Sequence, residues 1–429
     1  MPPPTETNPD TAPSPVILTS DKLLRPTWAE IDCAAMRRNY ARLRDLAGDR
    51  KMLAVVKADA YGHGATITAK LLDACGADWF GVATVEEGIE LRAVGIQKPI
   101  LLLGGLYMSD PADLVEYQLT PSVSSTARLD TYAECARRSG KPIDFHLKID
   151  TGLGRLGMPP ELLKTFLEHL QRLNGNKQSG RDALRLTGVF THLACAEDLV
   201  ATQTHEQVSR FRLALACMQS LGSTPEWVHI SNSAALLAHL DVAENLVRVG
   251  ALLYGYCLPL LIPPGISLPP LPVFEPVLSF KTRVVFLKDQ PVGAPIGYGA
   301  SYYTRRPSRI ATLPVGYADG LNRARSNRGR VLVRGSYARI VGNISMDLTL
   351  IDVTDIPNVS VGDEVTLIGK VDDCSITAAE VARELGTIPY EILCAIGKRV
   401  PRIYLSSADA ENVSPSPDCA RKSSGKSLR

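Results

Sequence analysis

The chain has 429 residues, with 47 Lys and Arg against 45 Asp and Glu, so its formal net charge is only +2. This balance excludes the basic footprint of a nucleic-acid-binding protein, and no apolar run reaches the ~18 residues of a membrane span. A chain of this length is expected to form two or three domains. Its nine cysteines show no metal-ligand spacing, which predicts a cytoplasmic protein without a metal site.

Both ends of the chain have the composition of disordered segments. Residues 1–22 are rich in Pro, Thr and Ser and lack the basic and apolar regions of a secretory signal. Residues 406–429 have a similar polar composition. We therefore predict two disordered tails around a folded part from 23 to 405.

Residues 23–256 have the pattern of a (β/α)8 barrel, with a leading strand at 28–32 that can join a later β domain. Eight short apolar runs are typical of parallel strands buried on both faces. They cover 53–57, 79–84, 100–103, 119–123, 145–150, 186–192, 226–230 and 246–249. Amphipathic stretches separate them at 65–75, 86–94, 127–138, 161–173 and 204–221. The repeat favours an α/β TIM-like barrel, although an open doubly wound sheet stays possible and the helix after the eighth strand is unclear.

The alternation of apolar and amphipathic segments ends after the barrel. Residues 257–274 are rich in Pro and predict a linker. From 275 to 405 short β-like runs alternate with turn residues, which predicts a mostly-β C-terminal domain. These runs cover 277–286, 309–314, 331–333, 338–341, 348–353 and 364–368.

The first barrel strand ends at Lys57, in the segment AVVKADAYGHG. The carboxyl ends of barrel strands build active sites. A partly desolvated lysine there can attack a carbonyl group and form an imine with a substrate or with pyridoxal phosphate (PLP). The alternative is a strand-end lysine that reaches solvent. The following loop with Tyr61 is either a close approach to a ligand or an ordinary turn.

The fifth strand leads into a glycine-rich loop that carries Arg155, in HLKIDTGLGRLG. An arginine held there can bind an anionic oxygen with its forked donors, or it can simply be solvated. Lys148 lies inside the same strand, where burial of an ammonium group is costly unless it is paired or modified.

The last three strands end in residues that can hold a flat, phosphorylated ligand. His192 follows strand six and is either a ring beside a cofactor or a core histidine. Asn232 or Ser233 can cap a helix that begins with Ala234, and the Ser233 hydroxyl at such a helix N-terminus can also bind phosphate. Arg248 lies in strand eight and needs a partner. Gly250 and Ala251 follow it, and barrels often bind phosphate between the loops after strands seven and eight.

From about residue 26 to about 404 the chain resembles the alanine racemase family, whose members are fold-type III PLP enzymes. Nine motifs occur in the family's order: AVVKADAYGHG, HLKIDTGLGRLG, FTHLACAED, HISNSA, VRVGALLYG, IGYGASY, PVGYADG, GNISMD and GTIPYE. The resemblance implies interconversion of L-alanine and D-alanine, in which Lys57 carries PLP and Lys57 and Tyr298 are the two acid–base groups. Two bases on opposite faces of the cofactor suit removal of a proton from one face and its return to the other.

The resemblance also implies roles for the other matching residues. Arg248 would face the pyridine nitrogen, supported by His229. The other cofactor contacts would be Tyr61, His192, Ser233, Gly250, Ala251 and Tyr390. Arg155 and the amide of Met346 would hold the substrate carboxylate, and Tyr317 and Asp347 would line the entrance. Lys148 matches a position that is carbamylated in many family members.

The family is dimeric, so the resemblance implies a homodimer in which Tyr298 and Met346 complete the partner's site. The sequence departs from the family in GYADGLNR, where an aromatic residue often follows the second Gly, and at Asn343 in GNISMD, where Arg is common. The resemblance therefore does not fix the entrance shape or the substrate selectivity, although it still implies the chemistry. A racemase of serine or lysine is the nearest alternative. A PLP-dependent decarboxylase, a PLP-carrier protein and a purely structural barrel fit the motifs less well.

Overall fold

The computed structural model describes residues 23–175, 182–238, 244–265, 268 and 270–405. The two predicted tails, 1–22 and 406–429, lie outside the described residues. The chain divides into two compact units. One comprises Cys33–Leu278 and Thr377–Gly397, and the other comprises the segments up to Asp32, from Ser279 to Ile376 and from Lys398 onward.

The first described strand, β1 (Thr27–Asp32), belongs to the second unit, where it pairs in parallel with the last strand of the chain. The first unit is an eight-stranded parallel barrel. Its strands are β2 (Lys51–Val55), β3 (Trp79–Val82), β4 (Ile100–Leu102), β5 (Leu119–Val123), β6 (Ile143–Lys148), β7 (Leu184–Phe190), β8 (Trp227–His229) and β9 (Leu246–Val249).

The ends of this sheet meet and close it into a barrel. Strand β2 pairs with β9, and β8 is joined to β9 by backbone hydrogen bonds from Asn245 N to Val228 O and from Arg248 N to Ser231 O, both 3.1 Å. Most strand residues are buried, and those of β3, β4, β5 and β9 are buried throughout, which explains the apolar runs of the sequence. The predicted TIM-like barrel is therefore confirmed.

Helices connect the strands around the barrel. They are α1 (Cys33–Ala47), α2 (Lys57–Gly62), α3 (Ala65–Ala74), α4 (Val85–Ala93), α5 (Pro111–Glu116), α6 (Leu129–Ser139), α7 (Leu163–Gly175), α8 (Thr202–Ser220) and α9 (Ser233–Leu237). A 3-10 turn, Ala251–Tyr254, follows β9 instead of a long helix. Helix α1 packs beside this turn, because buried Asn39 donates hydrogen bonds to Leu253 O and Glu275 O.

The second unit is built on a ten-stranded sheet in the order β11-β14-β17-β16-β15-β18-β10-β1-β20, with β19 paired to β18. Beyond β1 its strands are β10 (Leu278–Arg283), β11 (Phe286–Gln290), β14 (Ser308–Leu313), β15 (Arg330–Val333), β16 (Ser336–Ile340), β17 (Thr349–Asp352), β18 (Glu364–Val371), β19 (Cys374–Ile376) and β20 (Arg402–Leu405). A small hairpin, β12 (Pro295–Ile296) and β13 (Tyr302–Tyr303), stands apart. The predicted mostly-β architecture is confirmed.

Two helices interrupt the predicted β range of 275–405. They are α10 (Ala378–Leu385) and α11 (Pro389–Cys394), and both belong to the barrel unit. Thr377 caps α10 by accepting a hydrogen bond from Glu380 N, and Pro389 begins α11 at a position where no amide donor is needed. No helix of the described ranges is both long and apolar enough to cross a membrane.

Candidate active site

A cavity of about 480 Å³ lies where the barrel strands end. Its walls contain residues that follow β2, β3, β4, β6, β7, β8 and β9, together with one residue of α11. The cavity brings together every residue of the barrel unit that the sequence predicted as a site residue. These are Lys57, Tyr61, Lys148, Arg155, His192, Ser233, Arg248, Gly250, Ala251 and Tyr390.

The segment after Lys57 is a left-handed turn. Residues Ala58, Asp59, Ala60 and Tyr61 all have φ between 52° and 55°. Left-handed backbone costs roughly 1–2 kcal/mol for each residue with a side chain, so the surrounding structure has to hold it. Gly62 continues the positive φ, and a Cβ at this position would collide with the carbonyl oxygen of Leu393 in α11.

The environment of Lys57 makes its amine easier to deprotonate than that of an exposed lysine. Burial lowers the pKa of Lys57 below its ordinary value, and the Arg155 cation lowers it further, whereas Glu87 and Cys394 act in the opposite direction. An uncharged amine is the form that attacks a carbonyl carbon.

One end of the cavity is lined by small and hydroxylated groups. Ser233 begins α9, and its Oγ accepts a hydrogen bond from Gly250 N at 3.0 Å. A Cβ at Gly250 would lie 2.9 Å from the hydroxyl of Tyr61, so glycine is needed for this approach. The rings of Tyr61 and Tyr390 meet edge to face, with centroids 5.9 Å apart. The hydroxyl-bearing residues Ser233, Tyr61 and Tyr390 therefore line this end of the cavity, and hydroxyl donors suit an anionic group such as phosphate.

Arg248 is buried beneath the opposite end of the cavity. Its Nη1 donates to His229 Nδ1 at 2.9 Å, and its Nη2 lies within hydrogen-bond distance of Thr191 O, Ile230 O and His192 Nδ1, at 2.8, 3.0 and 3.1 Å. No hydrogen bond joins Nε to any residue that the structure describes. The guanidinium is therefore fixed by its two terminal nitrogens, and its Nε–H is available to an acceptor in the cavity.

The hydrogen-bond chain continues into the barrel core. His229 Nε2 lies 2.9 Å from His146 Nδ1. Because Arg248 can only donate, His229 accepts on Nδ1 and donates through Nε2 to His146. Burial and the Arg248 cation lower the pKa of His146 to about 3, and that of His229 is also well below its ordinary value. Both histidines are therefore neutral and have fixed tautomers.

Arg155 extends from a loop with a closed base. Met158 N donates to Lys148 O at 2.8 Å, and Asp150 N donates to Met158 O at 2.9 Å. The Asp150 carboxylate accepts hydrogen bonds from the amides of Gly152, Leu153 and Gly154, at 2.9, 2.9 and 3.0 Å. The loop is thus ordered around Asp150, and it holds exposed Arg155 at the cavity wall.

Lys148 is only 5% exposed, and no carboxylate pairs with it in the described part of the chain. Burial lowers its pKa to about 8, with further lowering by Arg155, Arg248 and Lys57 and an opposing effect of Asp150. Its Nζ lies 5.5 Å from the centroid of the Phe190 ring. The amine therefore loses its proton far more readily than an exposed lysine, and it reaches half deprotonation near pH 8.

The remaining predicted site residues cluster in the β unit. Met346 O accepts a hydrogen bond from Ala318 N, next to Tyr317, at 3.1 Å. Asn343 Nδ2 donates to Tyr298 O at 2.8 Å. Tyr298 is 76% exposed and Met346 is 53% exposed. Asp347 pairs with Arg399 at 2.5 Å. In the second unit the side chains of Tyr298, Tyr317 and Met346 are therefore exposed.

Several residues of the cavity wall were not predicted as site residues. Examples are Leu103, Gly104, Tyr107, Glu197 and Cys257. Tyr107 has a φ of 51°, and its hydroxyl occupies the space that a side chain at Gly104 would need. The sequence could have indicated these residues only by their position after strands β4, β7 and β9, where a barrel builds its active site. In the described ranges no group of three or more His, Cys, Asp or Glu side chains is arranged to hold a metal ion.

The fold and the cavity define a class of protein in which a parallel barrel presents a lysine in a cavity lined by hydroxyl-bearing residues and a β unit follows in the chain. Family models for the alanine racemase N-terminal and C-terminal domains match residues 31–258 and 277–404. The chain belongs to the alanine racemase family.

Individual relatives match over nearly their whole length. Alanine racemase of Syntrophobacter fumaroxidans is 42% identical over 377 residues, which are 87% of this chain and 96% of that protein. Alanine racemase 2 of Caldanaerobacter subterraneus subsp. tengcongensis is 40% identical over 392 residues, which are 91% and 97% of the two chains. The structure of alanine racemase from Streptomyces coelicolor A3(2) superposes with a TM-score of 0.81 at 36% identity, covering 90% of this chain and all of that one.

Proposed function

We propose that this protein interconverts L-alanine and D-alanine, with PLP bound covalently to Lys57. The observation that carries the proposal is that Lys57, whose pKa is lowered, shares one cavity at the strand ends with Arg248 and with hydroxyl-bearing Ser233. The family relationship supports the same activity. When bound, PLP supplies an electron sink for the charge that develops at the substrate Cα.

The cavity residues fit this cofactor. Ser233, Gly250, Ala251, Tyr61 and Tyr390 would hold its phosphate through hydroxyl groups and backbone amides. Arg248 has a free Nε–H toward the cavity, which would donate to an unprotonated pyridine nitrogen. The guanidinium then disfavours protonation of the ring nitrogen and limits how much charge the ring accepts. His192 would pack beside the ring.

The two acid–base groups that we propose are Lys57 and Tyr298. Racemisation requires a proton to leave one face of Cα and another to arrive on the opposite face, which two groups on opposite faces provide. Lys57 Nζ would take or return the proton on one face. The phenol oxygen of Tyr298 would act on the other face.

Tyr298 would act in a homodimer, as a residue of the partner copy. The exposure of Tyr298 and Met346 in the isolated chain supports this assembly, since both side chains stand in solvent without a partner copy. The backbone amide of Met346 would hold the substrate carboxylate together with Arg155. Tyr317 and Asp347 would line the entrance for the small amino-acid substrate.

Lys148 would be carbamylated. Its amine would attack carbon dioxide, forming an N–C bond and releasing one proton to solvent. The product is an anion, which would replace an unpaired buried cation next to Arg155 and Arg248 and orient the Arg155 guanidinium. All described cysteines are free thiols, which supports a cytoplasmic location.

The test is a racemisation assay with a panel of L-amino acids, followed by circular dichroism. The optical activity of L-alanine should fall to zero in the presence of the PLP-loaded protein. If the optical activity of alanine persists while that of serine or lysine is lost, the protein is a racemase of the same family with another substrate. If the optical activity of alanine, serine and lysine all persists, the proposed function is wrong.

A further inference from the structure

We propose that Glu87 is a positioning residue for Lys57, because its carboxylate holds the left-handed turn that carries the lysine. This inference rests on the proposed function only for the role of Lys57. Glu87 lies in the first turn of α4, outside the group of residues that line the cavity.

The two carboxylate oxygens of Glu87 bridge two strand ends. Oε1 accepts a hydrogen bond from Ala58 N at 2.7 Å, and Oε2 accepts one from Ala83 N at 2.7 Å. Ala58 directly follows Lys57 after β2, and Ala83 directly follows β3. One side chain therefore ties the ends of two neighbouring barrel strands together by charge-assisted hydrogen bonds.

The sequence around Glu87 is that of an ordinary helix cap, but its carboxylate is used differently. Thr84 caps α4 by accepting a hydrogen bond from Glu87 N. In the usual capping box the glutamate at this position returns to the backbone amide of the capping residue. Here it bonds instead to the residue before the cap and to the turn after Lys57. Helix capping alone does not account for this arrangement.

The turn needs external support because it consists of four left-handed residues that are not glycine. Its far end is held by Asp59, whose Oδ1 accepts from Ala65 N at 2.7 Å, and by the packing of Gly62 against α11. The bond from Ala58 to Glu87 supports its near end, at the first peptide after Lys57. Loss of the Glu87 carboxylate would therefore free the Ala58 peptide, which is the part of the turn bonded directly to Lys57.

The negative charge of the Glu87 carboxylate also raises the pKa of the Lys57 amine. The other charged or titratable groups that act on Lys57 are Arg155, Lys148 and Cys394. Glu87 opposes the effect of Arg155 on the pKa of the lysine. Glu87 thus acts on Lys57 in two ways, through its hydrogen bond to the next residue and through its charge.

The test compares Glu87→Gln with Glu90→Gln, both made in the full-length protein loaded with PLP. A glutamine has one acceptor oxygen, so it cannot serve both amides. Glu90 lies on the same helix and is exposed, so its replacement removes the same charge from α4 without touching the turn. Hydrogen–deuterium exchange reports on the peptide that covers 57–64, and visible circular dichroism, normalised to bound cofactor, reports on the geometry at Lys57.

For Glu87→Gln we expect exchange of this peptide to be about tenfold faster, because the Ala58 amide loses a charged hydrogen-bond acceptor. The normalised dichroism of the cofactor should also change, and Glu90→Gln should match the wild type in both measurements. Wild-type exchange and dichroism in Glu87→Gln would overturn the proposal. If that variant fails to fold, Glu87→Asp decides, because its shorter side chain keeps the charge but cannot span both amides.

The two proposals fail separately. If borohydride reduction of the wild type leaves no cofactor on Lys57, the proposed function fails, while the exchange measurement still decides the role of Glu87. If the cofactor is trapped on Lys57 and Glu87→Gln behaves as the wild type, the positioning role alone fails.

Discussion

Arg248 donates a hydrogen bond to Nδ1 of His229 at 2.9 Å, and this single bond sets the direction of a chain that ends at His146. Because a guanidinium cannot accept, each histidine accepts on Nδ1 and carries its proton on Nε2. The ring of His229 stacks on Phe190, with centroids 4.6 Å apart. Arg248 is thereby held in place at the cavity wall, and its Nε–H is the donor left for a ligand in the cavity.

Replacement of Arg248 by lysine should weaken both cofactor binding and stability. An ammonium group cannot reach the four acceptors that the guanidinium contacts, so buried acceptors are left unpaired at about 1–3 kcal/mol each. Urea unfolding and PLP titration measure the two effects. The exposed Arg185→Lys is the matched control, and equal behaviour of the two variants would contradict this role of Arg248.

His146 should make the stability of the protein depend on pH in a defined direction. Between its folded pKa of about 3 and the ordinary value of 6.5 the unfolded state binds a proton that the folded state does not, so stability falls as the pH falls. His146→Gln should reduce the slope of unfolding free energy between pH 5 and 6 by up to about 1.4 kcal/mol per pH unit. Exposed His205→Gln is the control, and an unchanged slope in the His146 variant would refute the neutral state.

The barrel was predictable from the sequence because its strands are buried on both faces and are therefore continuous apolar runs. Lys57, Arg155 and Arg248 were identified because charged residues stand out within or directly after such runs. The left-handed turn after Lys57 was not predictable, since Ala and Tyr disfavour that backbone and Asp adopts it only occasionally, as single residues, so neighbouring elements impose it. Helix α11, which brings Tyr390 to the cavity, belongs to the barrel by tertiary packing that no local pattern reveals.

Asn343 should control the position of Tyr298, because its side chain donates to the carbonyl oxygen of that residue at 2.8 Å. Asn343→Asp has the same size but loses this donor, and we expect a several-fold to about tenfold lower kcat, the effect of one lost hydrogen bond. The visible spectrum of the cofactor on Lys57 should stay unchanged. A wild-type kcat would show that the bond does not position the tyrosine.

Carbamylation of Lys148 is directly observable. In 13C-labelled bicarbonate at pH 8, near the pKa of the buried amine, a carbamate signal should appear in the NMR spectrum. Lys148→Ala should lack it, and acidification should remove it from the wild type as carbon dioxide leaves. A wild-type spectrum identical to that of the variant would mean that Lys148 stays an amine.

The central claim is that Lys57 and Tyr298 handle the proton on opposite faces of alanine. The most direct measurement is solvent deuterium incorporation into L-alanine and D-alanine by Tyr298→Phe, with Tyr303→Phe as a control at another exposed tyrosine of the β unit. We predict that exchange from one enantiomer is lost while exchange from the other persists, and that the control exchanges both. Equal loss from both enantiomers, or no loss from either, would contradict the two-base account.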